Sequence, residues 1–400
     1  MNNTEIEHLN QFEALMSFKW TWVLKMMLNM PFDKVALFTG NQFGKTFGVV
    51  INYIFRIMGW HPIPKRNVLY FECPNLVKEE KQAEDADNDD LIKHPWVERR
   101  MPDGSYLRIH REGQYTDSVF YPKHYPKRFK KSLRPEDNLC TVCGEHLQVH
   151  KRNKRVFRFM SEVLPGEKEN IEGDEMQSAE TRNTIYPEFK KWFPPFLIKK
   201  DITARQAKMT LQDPNAGVQF GDIFWKGADI VGEFIAYHQT VQAGAGSQRM
   251  SIFSDEECPY EMYEEQMPRL VAEDGDFLVA LTPANRLSYM YDIIFEKAGL
   301  YIRTKAMCDF LTEREGKEFK QIEDMDNGND IVVIQAAADD NPTLSKRAIE
   351  KKYDYEDPDT VATRRYGVFR SATGRIFTDF DFKIHVKDFS KLFVNGMVPE

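Results

Sequence analysis

The segment Thr39-Gly40-Asn41-Gln42-Phe43-Gly44-Lys45-Thr46 constrains this chain more than any other. An apolar run, Val35-Ala36-Leu37-Phe38, precedes it, and an apolar helix-like stretch from Phe47 to Met58 follows. A strand, a glycine loop ending in Gly-Lys-Thr and a helix together form a cradle for the phosphates of a nucleoside triphosphate such as ATP. Backbone N–H groups of the loop and of the helix N-terminus point at the anion. Lys45 adds a mobile positive charge, and the Thr46 hydroxyl can ligate Mg²⁺. The usual spacing is G-x-x-x-x-G-K-S/T. Here Thr39 stands at the first glycine position, and Gly40 follows at once to supply the tight turn. The plainer reading, a Gly-Lys-Thr that merely opens a helix, is weakened by the strand before it and the helix after it.

Four hundred residues suffice for one large α/β domain with insertions or for two to three smaller domains. Hydrophobic residues make up 42% of the chain, and no apolar run approaches the length of a bilayer span. The polar, acidic N-terminus is unlike a signal peptide, so an intracellular protein is expected. Five cysteines, Cys73, Cys140, Cys143, Cys258 and Cys308, are too few and too odd in number for a disulfide framework. The net charge of −8 gives no overall electrostatic footprint for nucleic acid. One basic stretch, 123–135 and 151–158, can grip DNA locally, or it can be a solvated surface of mixed charge.

Apolar periodicity predicts an amphipathic helix over 5–30, ended by Pro31. Next come a strand at 35–39, a helix at 45–58 and a second strand at 67–72, an order that predicts a parallel sheet. Residues 75–155 are charged and turn-rich and read as an insertion. Core strands resume at 156–160, 230–238 and 249–254, and again at 277–284, a run ending in Thr-Pro. The third of these ends in Asp255-Glu256-Glu257-Cys258-Pro259. An acidic pair at the carboxyl end of a sheet strand is where a phosphate-loop protein sets its second metal contact. Asp255 would hold the Mg²⁺ hydration shell, and Glu256 would polarise water as general base, with Glu257 a competitor for that role. The alternative is that these acids cap the helix beginning near Pro259; the Gly-Lys-Thr loop tips the balance to catalysis. Thr282, at the end of the next strand, can reach a γ-phosphate or simply precede Pro283 in a turn.

Several stations now stand in a fixed order: Thr39 to Thr46, Ser251 to Pro259, Leu281-Thr282-Pro283, Asp339-Asp340-Asn341-Pro342-x-Leu344, Arg365-Tyr366-Gly367-x-Phe369 and Gly374-Arg375-Ile376-Phe377. In this order the chain resembles the ATPase domain of the large terminase subunit of tailed double-stranded DNA bacteriophages. The resemblance covers about residues 10–380 apart from 75–155. It implies an α/β fold of the RecA-like, additional-strand type: a central, mostly parallel sheet flanked by helices, with a small inserted subdomain. It implies an ATPase domain at 1–310, its C-terminal subdomain at 311–375, and at 376–400 the approach to a ribonuclease H-type nuclease domain that these residues do not contain. The chain by itself is therefore expected to hydrolyse ATP and not to cut DNA; it is a piece of a longer protein, or a separate polypeptide cuts.

By the same resemblance, Lys45 and Thr46 meet the β/γ-phosphates and Mg²⁺, Asp255 is the second Mg²⁺ contact and Glu256 the base. Thr282 couples hydrolysis to movement of double-stranded DNA, and the aromatic segment from Gln11 to Trp22 contacts adenine. The implied partners are the portal protein and the small terminase subunit. The implied assembly is a homo-oligomeric ring on the portal, monomeric in isolation, in the host cytoplasm and transiently at the procapsid vertex. An arginine finger is expected, with Arg158, Arg182, Arg205 and Arg249 as candidates.

Cys140-Thr141-Val142-Cys143-Gly144 has the shape of a metal knuckle, with His146 and His150 downstream. His124 and Cys73 lie upstream. Two thiolates and two further ligands from these would give the tetrahedral shell of structural Zn²⁺ and would order a polar segment with little core. The alternative is a turn with two free thiols. Two other functions compete with the packaging motor. A helicase-like ATPase would need a second RecA-like half, for which 300–400 is too short. A nucleotide-binding assembly module without turnover would need no acidic pair.

Overall fold

The structure is a computed structural model. It describes residues 21–369, apart from 31, 60, 62–65, most of 73–95, 101–105, 111–144, 146–147, 152–154, 163–183, 204–205, 215, 221–222, 240–245, 247 and 284–287.

In chain order the strands are β1 (Lys34–Thr39), β2 (Leu69–Glu72), β3 (Trp96–Arg100), β4 (Tyr106–His110), β5 (Gln148–Lys151), β6 (Val156–Ser161), β7 (Ile198–Lys200) and β8 (Lys208–Leu211). They continue as β9 (Val218–Phe220), β10 (Ile223–Trp225), β11 (Ile230–Ala236), β12 (Ser251–Asp255), β13 (Asp276–Leu281), β14 (Leu300–Arg303), β15 (Ile322–Asp324) and β16 (Ile331–Ala336). The helices that matter below are α1 (Trp22–Asn29), α2 (Lys45–Met58), α3 (Ile185–Trp192) and α4 (Tyr260–Gln266).

One ten-stranded sheet organises the molecule, in the order β15-β14-β16-β1-β13-β12-β6-β11-β8-β7. The run from β14 to β11 is parallel throughout, with antiparallel strands added at both edges. Strands buried on both faces read as continuous apolar runs, as DFLVAL in β13 and IVVIQA in β16 do. Their side chains divide by alternation. Val35 and Leu37 of β1, with Leu278 and Ala280 of β13, enter the core under α1, α2 and α3. Ala36 and Phe38, with Phe277, Val279 and Leu281, enter the core on the other face, against Met262, Met290 and Ile294. The sheet draws on residues on both sides of position 310, because β16 lies directly beside β1.

α2 forms over the span its sequence predicts. Gly44 at its N-cap and Gly59 at its C-cap both take the left-handed conformation, φ 91° and 72°. Gly48 lies under Leu24 of α1, whose side chain a Cβ there would meet at 2.2 Å. From the last turn of α2, Arg56 reaches Asp276 at the start of β13 through two 2.7 Å bonds, both groups buried. Burial alone would raise the Asp276 carboxyl, but the Arg56 charge and then the Arg66 charge hold it well below the usual carboxylate range.

Two expectations are corrected here. β2 is not a parallel member of the main sheet; it pairs antiparallel with β5 in a separate ribbon. The neighbours of β1 are β13 and β16, which supply apolar side chains to both faces, whereas LYFE is a four-residue strand. The expected first helix is described only from Trp22, capped by the Thr21 hydroxyl accepting from Leu24 N–H at 3.3 Å, and it ends at Asn29 before Pro31. Residues 1–20, including Gln11 to Trp20 of the suggested adenine contact, lie outside the described residues, as does 370–400. No helix among the described residues is long and apolar enough to cross a membrane.

Candidate functional site

The loop between β1 and α2 sits at the carboxyl ends of the parallel strands, where ligand crevices of open α/β sheets lie. β13 stands between β1 and the acidic strand β12, the additional strand of this fold class. Three consecutive strands, β1, β13 and β12, therefore deliver the loop, Thr282 and the acidic pair side by side.

The distances are short. The Thr46 hydroxyl donates to Asp255 Oδ1 at 2.9 Å. Lys45 Nζ donates to Thr282 Oγ1 at 2.5 Å and lies 3.0 Å from Glu256 Oε1. Glu256 Oε2 accepts the Thr282 backbone N–H at 2.9 Å, and the Thr282 hydroxyl donates to Asn41 Oδ1 at 3.0 Å. The loop itself turns through left-handed backbone at Gln42 (φ 61°) and Gly44 (φ 91°). Lys45 and Thr46 open α2, and N–H groups at a helix N-terminus are the donors that an anion takes.

The alternative that the acids cap the next helix is not what the structure adopts: α4 starts after Pro259, while Asp255 and Glu256 face Thr46 and Lys45. Glu257 turns aside and accepts from Ser288 Oγ at 2.9 Å. Desolvation, and next the Glu256 charge, push the Asp255 carboxyl up to about 6, against the Thr184 and Thr46 hydroxyls and the Lys45 charge. A hydroxyl and a carboxylate, all oxygen, are the donor set a hard cation such as Mg²⁺ takes, alongside water and phosphate. Thr46 and Asp255 thus fit the group, and its charge would keep Asp255 ionised.

Within the loop the residues divide by role. Thr39 is the last residue of β1, fully buried, with Gly367 packed against its backbone, so its side chain does not enter the cradle. Phe43 is a core side chain, leaving only its main chain for a ligand. A Cβ at Gly40 would lie 2.0 Å from the Arg365 carbonyl oxygen, which explains why the glycine falls one place later than usual. At Gly44 a Cβ would meet nothing, so conformation alone demands glycine there.

Several contributors escape sequence reasoning. The Thr184 hydroxyl donates to Asp255 Oδ2 at 2.9 Å. Asn341 Nδ2 donates to the Gln42 carbonyl at 2.6 Å, its own oxygen held by the N–H and hydroxyl of Thr343. The Asn41 N–H donates to the Arg364 carbonyl at 2.6 Å, and Arg365 is fixed by a two-bond pair with Asp339. The motif stations at 339–344 and 365–369 thus brace the loop from behind. Their spacing in sequence carries no signal of that contact.

Of the arginine candidates, Arg158 and Arg249 are buried and both bond Glu233 Oε2, at 2.8 and 2.7 Å. They serve the interior between β6 and β11 in this arrangement. Arg182 and Arg205 lie outside the described residues, as do Cys140, Cys143 and His146 of the suggested zinc knuckle. His150 falls in β5, opposite Tyr70. Among the described residues no cluster of three or more His, Cys, Asp or Glu is arranged to hold a metal ion.

No protein-family model matches the chain, and no curated protein matches it in sequence. Solved structures do. The chain is similar in fold to phage large terminase ATPase domains. Two structures of that domain from Thermus phage P74-26, one of them a mutant, are 11% and 12% identical, each with a TM-score of 0.45. The matches cover 89% and 90% of this chain and 96% and 98% of theirs. The large terminase of a thermophilic bacteriophage in complex with ADP is 12% identical with a TM-score of 0.45; the match covers 91% of this chain and 57% of that one.

Proposed function

We propose that this chain is the ATP-hydrolysing motor domain of a phage large terminase, driving double-stranded DNA into a procapsid. The observation that carries the reading is convergence. The loop at 39–46, the strand ending at Asp255-Glu256, Thr282, Asn341 and Arg365 are scattered over the chain in the terminase order, and all meet around one loop.

In this reading the loop N–H groups and Lys45 neutralise the β/γ-phosphates of ATP. Thr46 and Asp255 would hold Mg²⁺, which supplies charge neutralisation on the phosphate oxygens. Glu256 orients a water and takes its proton. Thr282, hydrogen-bonded to Lys45 and Asn41 and donating its N–H to Glu256, senses the γ-phosphate and passes its loss to DNA movement. The working form is a homo-oligomeric ring on the portal protein, with the small terminase subunit as a second partner. The zinc knuckle of Cys140, Cys143, His146 and His150 belongs to the same proposal as a stabiliser of the insertion.

The test is ATP turnover by the purified chain with and without linear duplex DNA, beside Glu256→Gln. The expected result is turnover raised by DNA and slowed about 10²–10⁴-fold, to a measurable residue, by the substitution. Absence of turnover in the parent protein under both conditions refutes the motor and favours a binding module. Unwinding of a forked duplex would instead favour the helicase-like reading.

A further inference from the structure

Glu256 has backbone that glutamate rarely adopts. Its φ is +68°, the left-handed region in which a Cβ crowds the following carbonyl. Such a conformation persists only where its surroundings over-determine it. On the N-terminal side, the Glu256 N–H donates to the Ala280 carbonyl of β13 at 2.8 Å. On the other side stand two hydroxyls. Tyr237, just beyond β11, donates its single phenolic proton to the Asp255 carbonyl at 2.6 Å. The Ser254 hydroxyl, fully buried, donates to the Glu256 carbonyl at 3.0 Å and lies 3.0 Å from the Tyr237 oxygen, itself 3.1 Å from that same carbonyl. Both peptide groups flanking the strained residue are thus tied down, each by a side chain that touches neither the loop nor Thr282.

The strain has a visible product. With φ positive, the Glu256 carboxylate folds back across the sheet end to stand between Lys45 Nζ and the Thr282 N–H. In ordinary strand geometry, successive side chains alternate faces and the carboxylate would leave that position. We infer that Tyr237, together with Ser254, is a positioning residue that locks the turn at Glu256 and so aims the general base.

This inference rests on the ATPase reading and names a residue that reading does not use. It predicts a loss in turnover without a loss in nucleotide binding, because neither hydroxyl touches the phosphate loop. The experiment measures kcat and KM for ATP in the full chain for wild type, Tyr237→Phe, Glu256→Gln and the double variant. Tyr237→Phe is expected to lower kcat about tenfold or more, the order of effect of a catalytic group displaced by a fraction of an ångström, with KM changed less than about twofold. In the Glu256→Gln background the same substitution should cost less than about twofold, since the group it positions is already gone. Should Tyr237→Phe not fold, Ser254→Ala removes the other donor and carries the same expectation. An equal loss in both backgrounds, or an unchanged kcat beside an inactive Glu256→Gln, overturns the positioning role alone. A Glu256→Gln as active as wild type overturns the base assignment and this inference with it.

Discussion

Lys45 is shared. Its ammonium sits 3.0 Å from Glu256 Oε1, and a γ-phosphate reaching Lys45 has to compete with that carboxylate. Glu256→Gln therefore has two effects of opposite sense. Removing the base should slow turnover by about 10²–10⁴-fold. Removing the competing charge should tighten nucleotide binding. In bulk-water dielectric, two unit charges at 3.0 Å attract by roughly 1.4 kcal/mol. The lysine side chain is 11% exposed but the glutamate is 50% exposed, so solvent screening brings the net value down to about 0.5–1 kcal/mol. That corresponds to roughly two- to fivefold in affinity. A glutamine amide that keeps its oxygen on the Thr282 N–H presents its NH₂ to Lys45, which reinforces the release. Equilibrium titration with a fluorescent ATP analogue measures the binding term, and phosphate release under saturating ATP measures the chemical one. Binding weaker than wild type, with the fold intact by circular dichroism, would refute the competition argument. Undiminished phosphate release would refute the base.

Three further outcomes are expected. Asp276→Asn should destabilise the fold by about 3–5 kcal/mol, read by urea unfolding, because it strands the buried Arg56 charge. Since the folded Asp276 carboxyl titrates below its unfolded value of 3.8, the pair stabilises fully above that pH and is lost only as the pH falls through the folded value; the gap between wild type and variant should hold from pH 8 to 5 and narrow only below about pH 4. Gly40→Ala should abolish nucleotide binding by driving a methyl into the Arg365 carbonyl, whereas Gly44→Ala, strained in φ but unobstructed, should cost only about 1–2 kcal/mol; equal effects in a thermal-shift and binding comparison would disprove the distinction. Thr46→Ala should raise the free Mg²⁺ needed for half-maximal turnover by about tenfold at saturating ATP, and an unchanged Mg²⁺ dependence would remove Thr46 from the metal's surroundings.

The parts of the site legible in sequence are those with local signals. β1 and α2 are announced by an apolar run, a glycine turn and a second apolar run, and Asp255 by its place at a strand end. The placement of β2 was not legible, because a four-residue apolar strand does not name its partner; pairing was decided by β13 and β16, which satisfy both faces of β1. Arg158 reads as a candidate finger only until its strand, VFRFMS, is seen to be buried, where an arginine must have a carboxylate, here Glu233. Thr184 and Tyr237, and the contact that Asn341 makes, were invisible for a different reason. Each acts through one hydroxyl or amide placed by tertiary contact, and threonine, tyrosine and asparagine in those positions have many ordinary explanations.

The brace behind the phosphate loop carries a consequence for how the molecule is made. Asn341 holds a carbonyl 299 positions earlier in the chain, and the Arg365 carbonyl closes on Gly40 from farther still. A nascent chain emerging from the ribosome would expose Gly-Lys-Thr early, yet the loop's brace would not be complete until residue 365, just past the helix Pro358–Arg364, had been synthesised. On the proposed reading, competence to bind and spend ATP would then coincide with completion of the fold, so unfinished copies would not burn it.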